Sequence, residues 1–404
     1  MSIHVLDAVQ FPAIEAVSPV PTSMVAAPPP ISEDFRVTTA SAQALACNAH
    51  IAGLPRYNAG LNIAVARAMT GRDDVAGLAS NENPFGCSPA VAAALAGLNP
   101  ARYSDPASTV LRQALAERLA VPPARIVAAN GSEEIIAAIS RAFLGEGIAA
   151  LTVAPCFGLH EIQPLAMGAT VKKVPMTAAL GFDVPAIISA LAEEPRVFFI
   201  STPWNPVGAT LTTDELQAIL AAVRPGTLLA LDEAYFVFRD AASPDGLRLV
   251  HQTKLNWVVL RTFSKAYGLA GLRVGYGVTS DESIARLIDA AHTPFNVNSA
   301  AQAAAVAALA DSAWMEQAVA RLNAAREDMR RGLHGLGLRV APSQGNFLFV
   351  DVGQPAAPIA QKLLQLGLIT KAWAEPGYTQ FLRISVGMPA DNARVINGLG
   401  QVLA

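Results

Sequence analysis

The sequence predicts an α/β protein with a large domain, built on a mostly parallel central sheet flanked by helices, and a smaller α+β domain. Short apolar runs recur between turn residues, as they do in buried parallel strands. Apolar residues at helical spacing lie between these runs, and such alternation is typical of a sheet covered on both faces. After about residue 294 the pattern changes to a long helical stretch followed by strand-like pieces, which indicates the second domain.

The predicted elements follow in chain order. A helix at 106–119 has Val110, Leu111, Leu115 and Leu119 on one face. A strand at 126–129, a tight turn and a helix ending near residue 143 come next. Further strands are predicted at 148–153, 197–200, 228–231 and 257–260, with a helix at 213–223. The C-terminal part comprises a helix at 300–336, whose Ala-rich start we expect to be buried, strands at 338–340, 346–350 and 381–386, and a helix near 358–366.

Composition shifts suggest the domain boundaries. Residues 1–45 are rich in proline, which excludes regular helix or sheet, so we expect a flexible arm or a segment that wraps a partner subunit. Residues 46–90 are predicted to be the N-terminal part of the small domain. Residues 91–295 form the predicted large domain, and residues 296–404 complete the small one.

Charge and composition exclude several function classes. The formal net charge of −3 over 404 residues gives no electrostatic footprint for nucleic acid or an anionic membrane. No segment approaches the roughly 20 apolar residues that span a bilayer, and the N terminus lacks a basic signal-peptide start. Three cysteines without a CxxC pair favour a reducing compartment, and six scattered histidines give no metal spacing. We therefore expect a cytoplasmic enzyme without a metal.

The segment Arg261–Arg273 carries the strongest chemical signal, because it directly follows the predicted strand 257–260 and contains a lone lysine among apolar residues and small hydroxyls. Open α/β sheets bind ligands at the carboxyl ends of their strands. Desolvation and nearby cations lower the pKa of an amine such as Lys265 and make it a nucleophile towards an aldehyde. Thr262, Ser264 and Arg273 supply hydroxyls and a guanidinium, which suit a phosphate.

Three further segments follow predicted strands. Asp232 ends the strand at 228–231, and a buried carboxylate needs a partner such as the protonated nitrogen of a pyridine ring. Tyr235 and Asn205 carry polar groups suited to an oxygen on the same ring. The segment 130–134 starts a helix whose free amides favour an anion, although such a start is also a common cap.

Together these segments resemble the fold-type I enzymes that use pyridoxal 5'-phosphate (PLP), in particular the class II aminotransferases of the histidinol-phosphate aminotransferase group. The resemblance covers about residue 54 to the C terminus and implies the PLP-dependent transferase fold. It is carried by 78–86 (LASNENPFG), 102–105 (RYSD), 130–134 (NGSEE), 232–235 (DEAY), 261–273 (RTFSKAYGLAGLR) and 382–387 (LRISVG).

The resemblance implies a cofactor role for each matching position. Lys265 would form a Schiff base with PLP and then move a proton during the reaction. The other positions would hold the cofactor: Asp232 its ring nitrogen, Tyr235 and Asn205 its ring oxygen, Phe157 its ring face, and the Ser132 and Glu133 amides, Ser264 and Arg273 its phosphate, with Thr262 nearby.

The resemblance also implies substrate and subunit contacts. Arg383 would bind a substrate carboxylate through a two-pronged salt bridge. Tyr57 and Lys371 lie where relatives contact the substrate side chain. Tyr103 would reach the phosphate of the neighbouring subunit, which implies a homodimer with shared active sites.

Three positions depart from the family pattern. Val207 replaces a threonine, Trp204 replaces an asparagine, and Lys371 stands where relatives that bind phosphorylated substrates often have arginine. Lysine keeps the charge but loses the planar fork. The cofactor chemistry is unaffected, and the identity of the substrate is left open.

Three functions are compatible with these residues. The first is transamination from histidinol phosphate or an aromatic amino acid to a 2-oxo acid such as 2-oxoglutarate, in amino-acid biosynthesis. The second is a PLP-dependent decarboxylase or lyase similar to threonine-phosphate decarboxylases. The third is a non-catalytic sensor on the same fold, which the Pro-rich arm disfavours because it cannot supply a helix-turn-helix.

Overall fold

The computed structural model describes residues 47–55 and 57–404. Asn48–Ala404 form one compact unit. The predicted arm at 1–45 lies outside the described residues, and the division of the remainder at residues 90 and 295 stays a prediction.

The helices and strands of the described residues alternate over most of the chain. The α-helices are α1 (Ala49–Ala52), α2 (Ile63–Thr70), α3 (Pro89–Ala96), α4 (Thr109–Leu119), α5 (Ser132–Phe143), α6 (Leu159–Ala166), α7 (Val184–Leu191), α8 (Thr213–Ala222), α9 (Gly246–Val250), α10 (Glu282–Ala290), α11 (Ser299–Ala310), α12 (Ser312–Gly335), α13 (Ala356–Gln365) and α14 (Pro389–Leu403). The strands are β1 (Ala76–Gly77), β2 (Ile126–Ala129), β3 (Ala149–Ala154), β4 (Thr170–Pro175), β5 (Val197–Ser201), β6 (Leu228–Asp232), β7 (Asn256–Thr262), β8 (Gly275–Thr279), β9 (Arg339–Val340), β10 (Phe347–Asp351), β11 (Leu368–Ile369), β12 (Lys371–Ala372) and β13 (Phe381–Ser385).

The central sheet confirms the predicted α/β fold. Its seven strands lie in the order β2-β8-β7-β6-β5-β3-β4. All neighbouring pairs are parallel except those of β8, which runs antiparallel to β2 and β7. Successive residues of β5 enter opposite cores, because Phe198 and Ile200 pack on one face of the sheet and Phe199 on the other. This burial on both faces explains the continuous apolar runs in the sequence.

Two strands of this sheet were not predicted from the sequence, for different reasons. β4 lies at the sheet edge, and its two lysines and partial exposure leave no apolar run. β8 contains two glycines, which are unusual in strands. A Cβ on Gly275 would lie 2.5 Å from the Ser132 nitrogen, so the close approach of α5 requires glycine there.

The second sheet is antiparallel, in the order β12-β13-β10-β9. It packs with α12, α13 and α14 around a separate apolar cluster, and it pairs Phe349 of β10 opposite Arg383 of β13. The short strand β1 pairs in parallel with β11. The predicted α+β segment is therefore present. It pairs β1, which precedes the central-sheet strands in the chain, with β11, which follows them.

The single helix predicted at 300–336 is wrong. The structure breaks it at Asp311, which has non-helical backbone angles and whose side chain accepts a hydrogen bond from the Trp314 amide at 3.4 Å. The same carboxylate accepts a hydrogen bond from the Ser88 hydroxyl at 2.5 Å. Apolar periodicity continues on both sides of the break, so only the capping residue reveals it.

Candidate active site

An open cleft lies beyond the carboxyl ends of β5, β6 and β7 and reaches the antiparallel sheet. It brings together side chains from segments that are far apart in the chain. Thirteen of the fourteen predicted site residues line it: Tyr57, Ser132, Glu133, Phe157, Asn205, Asp232, Tyr235, Thr262, Ser264, Lys265, Arg273, Lys371 and Arg383.

Tyr103 is the fourteenth, and it does not line this cleft. Its side chain is 86% exposed and stacks on Phe295, with the ring centroids 4.7 Å apart. An exposed aromatic pair is available to a second subunit, so its predicted contact with a neighbouring subunit stays a prediction.

Lys265 lies three residues beyond the last residue of β7. Its Nζ donates a hydrogen bond to the Ser80 carbonyl oxygen at 2.9 Å. Burial, and then the nearby Arg383 guanidinium, lower its pKa to about 8. A sizeable fraction of this amine is therefore neutral, and nucleophilic, near physiological pH.

We expect the reactivity of Lys265 to follow this lowered pKa. In protein without cofactor, reductive methylation at Lys265 should rise with pH around a midpoint near 8, because only the neutral amine attacks the aldehyde. An ordinary lysine has a midpoint near ~10.4. Peptide mapping by mass spectrometry would follow Lys265 beside the exposed Lys362. A common midpoint for both lysines would contradict the prediction.

The start of α5 offers groups that suit an anion. Gly131, in the left-handed region, precedes the helix, and the amides of Ser132 and Glu133 in its first turn have no carbonyl partner within the helix. Arg273 Nη2 lies 2.9 Å from the Glu133 carboxylate, and Arg273 Nη1 lies 3.4 Å from Ser264 Oγ. A Cβ on Gly131 would lie 2.6 Å from Arg273 Nη2, so glycine leaves room for the guanidinium.

Asp232 ends β6 and is buried. Its Oδ1 accepts a hydrogen bond from the Ala234 amide at 3.0 Å, and its Oδ2 lies 3.3 Å from His160 Nε2. The imidazole is fully buried and stacks on Phe199, with its edge towards Phe157. No local sequence pattern links His160 to Asp232, so this contact was not predicted. The structure makes His160 a positioning residue for that carboxylate.

Arg383 is the buried cation on the opposite side of the cleft. Its Nη1 donates to Asn205 Oδ1 at 2.8 Å, and its Nη2 donates to the Ala79 carbonyl oxygen. Its Nε has no hydrogen-bond partner among the described residues. Burial lowers its pKa. A buried guanidinium with an unused donor is suited to a carboxylate.

Lys371 lies between two aromatic rings at the mouth of the cleft. Its Nζ is 5.6 Å from the centroid of Tyr57 and 5.8 Å from that of Trp373, and it donates to the Asn58 carbonyl oxygen at 2.7 Å. Burial, and then Arg383, lower its pKa to about 8. Tyr57 also meets Phe157 edge to face at 6.1 Å.

The segment 78–86 carries part of the family resemblance, but no contact was predicted for its residues. In the structure, Ala79, Ser80, Asn81 and Glu82 all line the cleft. Their backbone and side-chain groups contact residues of three other segments. Sequence position within a motif was the only available signal.

The cleft has an excess of positive charge. Lys265, Arg273, Lys371 and Arg383 face the carboxylates of Asp232, Glu133 and Glu82. Separate cations around one nucleophilic amine suit ligands that carry two anionic groups.

One cluster of potential metal ligands occurs in the part of the chain that the structure describes. It consists of Cys156, Glu161 and Glu375. The ammonium group of Lys173 lies 2.9 Å from Glu161 and 3.0 Å from Glu375. The lysine already neutralises part of this charge, so the cluster is an ion-pair network. No helix among the described residues has the length and apolar character to cross a membrane.

Comparison with known proteins identifies the family. Residues 73–399 match the model described as aminotransferase class I and II. Histidinol-phosphate aminotransferase 3 of Rhizobium meliloti is 42% identical over 357 residues, which cover 88% of this chain and 96% of that protein. Histidinol-phosphate aminotransferase of Bacillus subtilis is 37% identical over 357 residues, 88% of this chain and 99% of that protein.

Solved structures agree with this assignment. The crystal structure of histidinol-phosphate aminotransferase from Sinorhizobium meliloti, in complex with pyridoxal-5'-phosphate, superposes with a TM-score of 0.81 at 27% identity and covers 88% of this chain and 97% of that one. Aspartate aminotransferase from Thermus thermophilus, at 19% identity, shares the fold with a TM-score of 0.75, over 88% of this chain and 99% of that one.

Proposed function

Because the chain belongs to the class I and II aminotransferase family, we propose that it transfers the amino group of histidinol phosphate to 2-oxoglutarate. PLP is its cofactor, and transamination is its reaction class. A decarboxylase on the same fold is not favoured, since relatives covering 88% of the chain are aminotransferases. The observation that carries the proposal is the nucleophilic Lys265 between an anion site at Arg273 and two further cations, Lys371 and Arg383.

The residues of the cleft fit PLP group by group. The anion site at the start of α5 suits the phosphate, and the glycine at 131 keeps the space in which Arg273 lies. Asp232 supplies a buried carboxylate for a protonated ring nitrogen. Tyr235 and Asn205 offer polar groups for the ring oxygen, and Phe157 offers an aromatic face. PLP supplies an electron sink when it is bound.

The chain's own residues perform the binding and the proton transfer. Lys265 Nζ is the amine that holds the cofactor aldehyde. The same Nζ would accept the proton that leaves the amino-bearing carbon of the substrate. The pKa of about 8 suits this role, because the amine can both accept and return a proton near neutral pH. Contacts with His160 and the Ala234 amide fix the position of the Asp232 carboxylate.

Substrate binding falls to the other two cations. We assign the carboxylate of the 2-oxo acid to Arg383, whose buried guanidinium has an unused Nε. We assign the phosphate of the donor to Lys371 at the mouth of the cleft. A lysine offers a point charge without the bidentate fork of arginine, so phosphate binding here depends on charge more than on geometry.

A donor scan tests the proposed function. Purified protein with PLP is given histidinol phosphate, phenylalanine, tyrosine or threonine phosphate, each with 2-oxoglutarate, and both glutamate and carbon dioxide are followed. We expect glutamate without carbon dioxide, fastest with histidinol phosphate. A faster aromatic donor would replace the proposed substrate. Carbon dioxide release independent of 2-oxoglutarate would overturn the reaction class.

Lys371→Ala should separate phosphorylated from unphosphorylated donors. Loss of a charge-assisted contact costs about 1.5–3 kcal/mol, so we expect KM for histidinol phosphate to rise roughly tenfold to a hundredfold while KM for phenylalanine changes little. Initial-rate kinetics with both donors would measure this. Lys362→Ala, at an exposed position of α13, is the matched control. Equal increases for both donors would remove Lys371 from the phosphate site.

We propose a cytoplasmic homodimer in which Tyr103 completes the partner's anion site. The exposed Tyr103–Phe295 pair supports this assignment. Mixed dimers test it, because a Lys265→Ala subunit still offers its Tyr103 to a Tyr103→Ala subunit that keeps Lys265. Activity of the mixture should exceed that of either variant alone. Activity equal to the mean of the two parents would show that each site is formed within one chain.

A further inference from the structure

Three consecutive residues, Ala79, Ser80 and Asn81, connect the main elements of the cleft. The Ala79 carbonyl accepts from Arg383, and the Ser80 carbonyl accepts from Lys265 Nζ at 2.9 Å. Asn81 Nδ2 donates to the Tyr235 hydroxyl at 2.9 Å. Asn81 is buried, with φ of 56° in the left-handed region, which asparagine tolerates better than most residues.

The direction of the hydrogen bonds around Asn81 follows from Ser385. The Asn81 backbone N–H can only donate, and it donates to Ser385 Oγ at 2.8 Å. The Ser385 hydroxyl in turn donates to Asn81 Oδ1 at 2.8 Å. Rotating the amide by 180° would leave the buried Ser385 hydroxyl proton without an acceptor, at a cost in stability. The amide nitrogen therefore faces Tyr235.

This direction determines where the Tyr235 proton lies. A phenol has one O–H donor, and its oxygen here accepts from Asn81. The Tyr235 hydroxyl makes no other hydrogen bond to residues 47–55 or 57–404. Its proton is not needed for Asn81 and remains available to the cleft that Tyr235 lines.

We propose that Asn81 is a positioning residue that makes the Tyr235 hydroxyl a hydrogen-bond donor towards the ring oxygen of PLP. The inference rests on the proposed placement of PLP in this cleft. Three hydrogen bonds form this network. The Asn81 backbone N–H donates to Ser385 Oγ, the Ser385 hydroxyl donates to Asn81 Oδ1, and Asn81 Nδ2 donates to the Tyr235 hydroxyl, which would donate to the cofactor. Asn81 acts on the cofactor through its hydrogen bond to Tyr235.

The Asn81→Asp substitution reverses the direction of the hydrogen bond between residue 81 and Tyr235 with little change in side-chain shape. The aspartate carboxylate accepts the Tyr235 proton, so the cleft loses a donor. In protein stripped of cofactor, we expect the dissociation constant for added PLP to rise about tenfold to a hundredfold, as for loss of a hydrogen bond to a charged group. The pH midpoint of the change in the visible absorption of bound PLP should rise by about one unit.

A double-mutant cycle separates this role from the added charge. Asn81→Asp, Tyr235→Phe and the double variant are titrated with PLP, and Asn99→Asp at an exposed site is the control. A direct effect of the charge on PLP appears equally in both backgrounds, whereas an effect through Tyr235 disappears with its hydroxyl. We expect the Asn81→Asp effect on PLP affinity to be at least about fivefold smaller in Tyr235→Phe than in the unaltered protein.

Equal effects of Asn81→Asp in both backgrounds would overturn the proposal. Should Asn81→Asp lower the unfolding temperature of the cofactor-free protein too far, Ser385→Ala provides a second cycle, because it frees the amide to rotate without adding charge. The effect of Ser385→Ala on PLP affinity should also be smaller in the Tyr235→Phe background. Equal effects in both backgrounds would overturn the proposal. Failure of the unaltered protein to bind PLP is a different result, which would contradict the proposed function instead.

Discussion

Lys265→Ala is expected to abolish transamination, with a loss of at least about 10⁴-fold in kcat. General acid–base catalysis alone contributes ~10²–10⁴, and in the proposed function the same side chain also holds the cofactor aldehyde. We expect the cleft to keep the other proposed cofactor contacts, since the Arg273 guanidinium and the Asp232 carboxylate make their hydrogen bonds without the Lys265 side chain. The variant should therefore still bind PLP while its visible absorption changes to that of PLP without a lysine link.

Steady-state rates and the absorption spectrum of the purified variant would measure both effects. Lys254→Ala, a lysine that does not line the cleft, is the matched control and should retain full activity. Turnover and absorption like those of the unaltered protein in Lys265→Ala would contradict the assignment of Lys265.

Asp232→Asn is expected to lower kcat on the order of 10²–10³-fold, the range for loss of one preorganised electrostatic group. Asparagine keeps the shape and one acceptor oxygen for the Ala234 amide. It removes the negative charge that a protonated ring nitrogen needs. The donor half-reaction, followed by stopped-flow absorbance in a single turnover, would slow while PLP content changes little.

Asp328→Asn, on the exposed face of α12, is the control for this charge removal. A His160 variant should act in the same direction but less strongly, because His160 positions Asp232 and does not supply the charge. Unchanged single-turnover rates in Asp232→Asn would rule out a role for this carboxylate at the ring nitrogen.

Several contacts within the fold lie beyond what local sequence patterns encode. Ser385 and Asn81 are 304 positions apart, yet they share two hydrogen bonds. His160 meets Asp232 across 72 positions. Such pairs form only when the elements pack, so neither periodicity nor local spacing could indicate them.

The sequence by itself determined the fold class, most central strands and thirteen residues of the cleft. It could do so because buried strands require continuous apolar runs, because Asp232 ends one such run and Lys265 lies three residues beyond another, and because the resemblance to the aminotransferases implied the remaining cleft residues. Only the tertiary structure decided the break at Asp311, the edge strand β4, the antiparallel β8, and the partners of Asp232 and Tyr235. These features depend on burial and hydrogen bonds between distant segments, which exist only once the chain has folded.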